Sequence, residues 1–355
     1  MTDYAAFLSA SADDRRGAFL ATAARLDTSE VNVEKDFWVC WTLDALFNRI
    51  TGEPPRLLFK GGTSLSKGYG LISRFSEDID VTVFRDDLGE AADVADLKAM
   101  SGKKRKAKLA AIKSACQAYI AGPLRDQLAG LLAETTTAAG MDAAVARVEL
   151  DPDDPDAQTL LLWYPTASAP TGPAAYIRPA VKIESGAKSA LDPHRVRQLK
   201  PYVDDDLPGL DLVVDGVTTV DPERTFWDKV VIAHGQRRWF DKHGQLKGGG
   251  QRVTRHYYDL YRLMGDDVGT AAAADLGLGA DCVEHAKIFF NSPDLDLASA
   301  APGTFALVPT SEMRGALARD FQAMRGMIFG EAPTFDAVMH AISDLETRLN
   351  AQVRE

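Results

Sequence analysis

Two aspartates, Asp78 and Asp80, stand two residues apart in a stretch that has the alternation of a β-strand, with apolar residues at 79, 81 and 83. On an extended backbone, residues i and i+2 point to the same face, so both carboxylates leave the sheet together. Adjacent carboxylates raise each other's pKa unless a cation neutralises them. Magnesium binds a few carboxylate oxygens together with water and substrate phosphates, so such a pair suits it.

A glycine turn precedes these aspartates. An apolar run at 57–59 ends at Lys60, and Gly61 and Gly62 break the strand pattern before a short helix. Bare backbone N–H groups at a helix start attract phosphate. The hydroxyls that could act as N-cap and face phosphate are those of Thr63, Ser64 and Ser66. A phosphate turn and a metal-binding pair within one strand–helix–strand unit indicate nucleotidyl transfer.

Residues 61–81, GGTSLSKGYGLISRFSEDIDV, resemble the first motif of the AbiEii/AbiGii nucleotidyltransferase toxins. These are the toxin half of type IV toxin–antitoxin pairs, relatives of MenT-type toxins, in the DNA polymerase β-like nucleotidyltransferase superfamily. A Gly-Gly turn with a later Asp-x-Asp also arises by chance in ordinary α/β proteins. The spacing, the hydroxyls and the later motifs favour the family.

The segment YIRPAVKIES, from Tyr176, reads as a strand that places Lys182 and Glu184 on one face. The two could simply form a solvent-exposed ion pair, worth less than about 1 kcal/mol. The resemblance implies more: a strand beside the Asp-x-Asp strand, with the lysine neutralising charge on the phosphoryl group. The glutamate would be a third carboxylate or orient the metal.

Two helical segments resemble the family's third and fourth motifs. In DPERTFWDKVVIAH, Asp221 and Pro222 are typical of a helix start. Lys229 lies in an apolar setting, where a lysine either snorkels to the surface or meets an anion. The resemblance implies that it approaches the triphosphate. In RHYYDLYRLM, Arg255 and Asp259 are one turn apart and could form an ordinary ion pair. By resemblance, the arginine faces nucleotide and the aspartate ties the helical domain to the cleft.

The resemblance therefore implies a complete site. Asp78 and Asp80 would hold Mg²⁺, and Lys182 and Glu184 would complete the catalytic set. The nucleotide-binding residues would be Gly61, Gly62, Thr63, Ser64, Lys67, Arg74, Ser76, Lys229, Arg255 and Asp259. Within that set, Arg74 and Ser76 would orient the loop, with Arg74 a structural brace more than a phosphate ligand.

The fold expected from these patterns is α/β (α+β): a nucleotidyltransferase mixed sheet flanked by helices, followed by a mostly helical C-terminal domain. The core would span 1–220 and the helical domain 221–355. Helices are expected within 1–50, and strands at 145–150 and 159–164. Lys35 could reach the active cleft, but a surface charge at a helix start is the simpler expectation. The Pro/Ala/Gly run from 165 to 175 and the Gly- and Lys-rich run 240–254 read as loops, and the second could be a lid.

Composition excludes several classes of protein. The 355 residues carry a net charge of −11, which argues against general adhesion to nucleic acid. Three widely spaced cysteines and scattered histidines predict a reducing cytoplasm and no zinc site, and no stretch reads as a membrane span or secretory signal. One local basic cluster remains, either a solvated helix face or a contact for an RNA backbone: Lys103, Lys104, Arg105, Lys106, Lys108 and Lys113.

The expected activity is Mg-dependent transfer of a nucleoside monophosphate from an NTP, with release of pyrophosphate. The resemblance implies a transfer RNA 3′ end as acceptor and a separately encoded antitoxin. Three alternatives stay open: a phosphotransferase on the same scaffold, a non-catalytic nucleotide-binding module, and a house-keeping nucleotidyltransferase. The preferred NTP, the oligomeric state and the antitoxin's identity are not determined by the sequence.

Overall fold

The protein is described by a computed structural model that covers residues 3–76, 78–142, 144–168, 178–250, 252–290 and 292–352. The predicted loop residues 169–175 and Tyr176 lie outside these ranges. Contacts divide the chain into two compact units. The first is Met1–Gly68, Phe75–Ala91 and Lys106–Thr219, and the second is Tyr69–Arg74, Ala92–Arg105 and Val220–Glu355. The continuous domains 1–220 and 221–355 stay a prediction.

The first unit is built on a mixed sheet of seven strands. They are β1 (Leu57–Lys60), β2 (Asp78–Val83), β3 (Arg147–Leu150), β4 (Thr159–Trp163), β5 (Ala180–Gly186), β6 (His194–Leu199) and β7 (Val214–Val220). Their order is β3-β4-β5-β2-β1-β7-β6. Strand β2 pairs antiparallel with β1 and parallel with β5, so it lies inside the sheet.

Helices make up most of the remaining described structure. They are α1 (Tyr4–Leu8), α2 (Ala12–Leu26), α3 (Glu30–Asp44), α4 (Gly61–Thr63), α5 (Val94–Ala99), α6 (Gly102–Tyr119), α7 (Arg125–Ala138), α8 (Pro222–His243), α9 (Thr254–Met264), α10 (Asp267–Ala274), α11 (Leu276–Phe289), α12 (Ser311–Met324) and α13 (Phe335–Ala351). Single π-helical turns extend α3, α4 and α6 at Ala45–Arg49, Ser64–Gly68 and Ile120–Leu124. Short 3₁₀ turns lie at Tyr202–Asp206, Lys247–Gly250, Pro293–Leu295, Leu297–Ser299 and Arg325–Met327.

Helix α3 is buried on almost every side, because α2, the sheet and the 3₁₀ turn Tyr202–Asp206 all pack against it. The expectation that Lys35 is a surface charge is therefore wrong, since it is 5% exposed. The preceding Glu34 carboxylate is also buried, and it accepts hydrogen bonds from the backbone N–H groups of Ala167 and Ser168. Glu34 and Lys35, two charged residues near the start of α3, are therefore part of the buried core.

The second unit is helical, as the sequence predicts. Helix α8 begins with Pro222 after Asp221, which occupies the N-cap position without a side-chain capping bond. It runs through His243 and ends at Gly244 in the left-handed conformation, so the predicted loop at 240–254 starts later than expected. A mixed sheet in one unit and helices in the other confirm the predicted α/β fold class. Within the described ranges, no helix combines the length and apolarity that crossing a membrane requires.

Candidate active site

Three adjacent strands place charged side chains on one face of the sheet. The antiparallel register sets Lys60 of β1 opposite Asp80 of β2. The parallel register sets Asp78 opposite Lys182 and Asp80 opposite Glu184. Directly paired residues share a face, so all five side chains lie together. The expectation that the Lys-x-Glu strand borders the Asp-x-Asp strand is confirmed.

Lys182 is held by two carboxylates. Its Nζ lies 3.1 Å from Glu184 Oε1 and 3.5 Å from Asp151 Oδ2. Burial alone would lower the pKa of Lys182, but the hydrogen bond and charge of Glu184, with Asp151 and Asp78 beyond it, raise that pKa above its ordinary value. The lysine is therefore a fixed cation beside Asp78.

Asp151 is a residue that sequence reasoning missed. It follows β3 and lies in the DPDDPD stretch, which reads only as a turn between two strands. It is 6% exposed, whereas Glu184 is much more accessible. No local pattern indicates that this aspartate reaches Lys182, because the two are brought together by the pairing of β3, β4 and β5.

The glycine turn closes directly onto Asp80. Gly61 has φ +78°, and a Cβ placed on it would lie 2.0 Å from Asp80 Oδ2. Only glycine fits this position, both because of its backbone conformation and because the carboxylate is so close. The turn and the aspartate pair thus form one continuous surface, as the sequence-based interpretation requires.

The hydroxyls of the turn form hydrogen bonds within the protein. The expectation that they cap the helix is therefore not met, whereas the expectation that they face phosphate stays a prediction. Thr63 and Ser64 are buried, and α4 has no side-chain cap. Thr63 Oγ1 lies 2.5 Å from the Asp78 carbonyl oxygen and 2.7 Å from Ser76 Oγ. With one proton, Thr63 donates to the carbonyl and accepts from Ser76. Ser64 and Ser66 donate to carbonyl oxygens of the turn itself.

Lys67 has partners other than the predicted phosphates. Its buried ammonium is ion-paired with Asp36 of α3 and lies 3.1 Å from the centre of the Tyr202 ring. Burial would lower the pKa of Lys67, but the Asp36 carboxylate and neighbouring Tyr202 and Cys40 raise it. The lysine therefore fixes the π-helical turn Ser64–Gly68 against α3.

The second unit brings together Arg74, Lys229 and Asp259. Arg74 donates two hydrogen bonds to the Asp259 carboxylate, at 2.8 and 2.9 Å, and Lys229 Nζ lies 2.8 Å from Asp259 Oδ2. Burial would raise the pKa of Asp259, but Arg74 and Lys229 hold it well below its usual range. The pKa of Lys229 is lowered by burial, and by Arg74 and Arg255, despite Asp259. Arg74 therefore fixes the segment before β2 to α9, the structural role expected for it. Two buried cations share the Asp259 carboxylate.

The charged face of the sheet has a donor set that fits Mg²⁺. Four carboxylates, of Asp78, Asp80, Glu184 and Asp151, and two ammonium groups leave an excess of two negative charges among these side chains. Within the described part of the chain, no three His, Cys, Asp or Glu side chains form a ready-made metal cluster. A site of two aspartates suits an ion that keeps water and substrate phosphates as its other ligands.

Comparison with known proteins supports the resemblance to nucleotidyltransferase toxins. The family model described as nucleotidyl transferase AbiEii toxin, type IV TA system, matches residues 44–341. The solved structure of MenT4, a nucleotidyltransferase toxin from Mycobacterium tuberculosis H37Rv, has a similar fold. The TM-score is 0.51 at 14% sequence identity, over 96% of this chain and 90% of that one. No curated protein matches the sequence. Because the family model covers most of its length, the chain belongs to the AbiEii nucleotidyltransferase toxin family of type IV toxin–antitoxin systems.

Proposed function

We propose that this toxin transfers a nucleoside monophosphate from an NTP to the 3′ end of a transfer RNA. The observation that carries the proposal is the contact between the Gly61 turn and Asp80, on the face that also holds Asp78 and Lys182. The proposed place for phosphates and the two carboxylates proposed to bind metal are adjacent within one compact unit, which supports the proposal. Family membership supports the transferase class, and the acceptor is proposed from resemblance alone.

Four of the five side chains on the sheet face, and the glycine turn, have proposed tasks. Asp78 and Asp80 hold Mg²⁺, which when bound offsets phosphate charge and aligns the reacting oxygen with the α-phosphorus. The backbone N–H groups at Gly61 and Gly62 bind phosphate oxygens. Lys182, fixed by Glu184 and Asp151, neutralises charge on the transferred phosphoryl group.

The other residues predicted to bind nucleotide carry less of the proposal. Thr63, Ser64, Ser76 and Lys67 shape the turn through their own hydrogen bonds and ion pair. For Lys229, Arg255 and Asp259, nucleotide binding stays a prediction from the family's motifs. Three buried, free cysteines are consistent with a proposed cytoplasmic location. The cognate antitoxin is proposed to be a separate chain.

The test is incubation of the purified protein with Mg²⁺, total RNA and each NTP, labelled either at the α- or at the γ-phosphate. Nucleotidyl transfer places the α label on RNA, and pyrophosphate carries the γ label. A γ label on any acceptor would instead identify a phosphotransferase. Asp80→Ala should abolish transfer and leave the thermal melt unchanged, because the carboxylate serves the metal. Wild-type turnover in that variant would refute the assignment, and loss of folding would indicate a structural role for Asp80.

A further inference from the structure

Lys60 lies where the carboxylate pair meets the glycine turn. It is the last residue of β1, directly before Gly61, and it pairs across the strands with Asp80. Its Nζ is 3.8 Å from Asp80 Oδ1, and its side chain is 29% exposed. The sequence alone marks it only as the end of a strand.

The contact with Asp80 does not account for this lysine. A separation of 3.8 Å is too long for a hydrogen bond, and a partly exposed ion pair without one contributes little to stability. In the described part of the chain the Lys60 ammonium donates no hydrogen bond, although it carries three protons. By contrast, Lys67 and Lys229 are buried against their carboxylates. Lys60 therefore retains its donors on an open, charged face.

The strand order gives the two lysines of this face different positions. In the order β5-β2-β1, Lys182 lies beside Asp78 on one side of β2, and Lys60 lies beside Asp80 and the Gly61 turn on the other. The turn is the proposed place for the outer phosphates. The ammonium of Lys60 is thus on the side of the leaving group, and that of Lys182 is on the side away from the turn.

We propose that Lys60 is a catalytic residue that binds the β- and γ-phosphates and stabilises the departing pyrophosphate; this assignment rests on the proposed function. In the step concerned, the acceptor hydroxyl oxygen bonds to the α-phosphorus. The bond from the α-phosphorus to the bridging oxygen breaks, its electron pair stays on pyrophosphate, and the hydroxyl proton leaves to water. The ammonium offsets the charge that grows on the bridging oxygen.

The test compares binding of a nucleotide that has the β- and γ-phosphates with binding of one that lacks them. The wild type is titrated calorimetrically, in Mg²⁺, with an NTP analogue whose α,β-bridge cannot be cleaved and with the matching NMP. Lys60→Ala should weaken binding of the analogue about 10- to 100-fold, the range for loss of a charged hydrogen bond, and leave NMP binding unchanged. Lys60→Arg should retain most of the affinity, because it keeps the charge. Lys188→Ala, a partly exposed lysine beyond the end of β5, is the matched control and should bind both ligands as the wild type does.

The outcomes distinguish the two proposals. If the wild type neither binds the analogue nor labels RNA, the proposed function fails. If the wild type labels RNA but Lys60→Ala binds the analogue normally, or loses both ligands equally, the assignment of Lys60 is overturned. A lowered melting temperature with unchanged discrimination between the two ligands would make Lys60 a structural brace, and Lys60→Met, which keeps the aliphatic stem, checks that reading.

Discussion

At the scale of single residues, Gly61 lies so near Asp80 that no side chain fits at position 61. The Gly-Gly pair is visible in the sequence, but only the structure shows that a side-chain carbon at Gly61 would lie 2.0 Å from a carboxylate oxygen. That separation is far inside van der Waals contact. The carboxylate or the turn must move if the glycine is replaced, and both are parts of the proposed site.

Gly61→Ala should therefore abolish nucleotide transfer and weaken Mg²⁺-dependent NTP binding. Two effects add: the positive φ strains alanine, which costs about 1–2 kcal/mol, and the Cβ displaces Asp80. Gly52→Ala is the matched control, because Gly52 has φ +82° and nothing within 4 Å of an added Cβ. It should lose stability from strain alone and keep full transfer. Equal activity of the two variants, measured by RNA labelling, would contradict the proposed role of the turn.

Sequence reasoning at this scale succeeds where spacing is local. Asp78, Asp80, Lys182 and Glu184 are placed correctly because strand alternation determines which face each side chain occupies. It fails for Asp151 and for the buried hydroxyl of Thr63, whose partners are distant in sequence or are backbone carbonyls. Side-chain type alone does not distinguish a hydroxyl that faces a ligand from one that faces its own turn.

At the scale of elements, helices α8 and α9 and the short segment Tyr69–Arg74 are joined in the second unit by one carboxylate. Asp259 on α9 binds Lys229 of α8 and Arg74, and the three side chains are almost fully buried. Arg74 and Asp259 are 185 positions apart, so no periodicity predicts their pairing. Residue types at helical spacing predict both helices, but not the ion pair between the segments.

Asp259→Asn should destabilise the second unit by about 3–5 kcal/mol, because it leaves two buried cations without their carboxylate. The folded-state pKa of Asp259 lies below its unfolded value, so this stabilisation is fully present above about pH 4 and is lost progressively as the pH falls from there towards the folded-state pKa. Urea unfolding at pH 7 and at pH 3 measures both effects, and the difference between wild type and variant should shrink in acid.

Asp241→Asn is the matched control, since Asp241 forms an accessible pair one turn from Arg237 on α8. Its loss should cost less than about 1 kcal/mol. If Asp259→Asn costs no more than this control, the buried ion pair does not stabilise the unit.

At the scale of the whole molecule, the net charge of −11 repels RNA, so an RNA acceptor needs a local basic surface. Only some of the basic side chains of the α6 cluster are exposed and outside an ion pair in the described structure. Lys108 and Lys113 are ion-paired with Glu90 and Asp156, and Arg105 is half-buried. Lys103, Lys104 and Lys106 are exposed at the start of the helix. These three lysines attract RNA phosphates over a Debye length of about 8 Å at physiological salt. Their attraction therefore exceeds the repulsion from the protein's net negative charge only where RNA contacts the helix.

Replacing Lys103, Lys104 and Lys106 together by glutamate should weaken use of the RNA acceptor and leave NTP binding unchanged. If all three contact phosphates of a single strand, the slope of log affinity against log salt should flatten by about 2, at about 0.7 per contact. The control triple variant reverses the charge of accessible residues elsewhere, Lys242, Lys287 and Arg314. Labelling rates at several salt concentrations provide the slopes. An unchanged slope in the α6 variant would show that the cluster is a solvated helix face. A similar loss of RNA labelling in both triple variants would show that the change in net charge, and not a contact at α6, causes it.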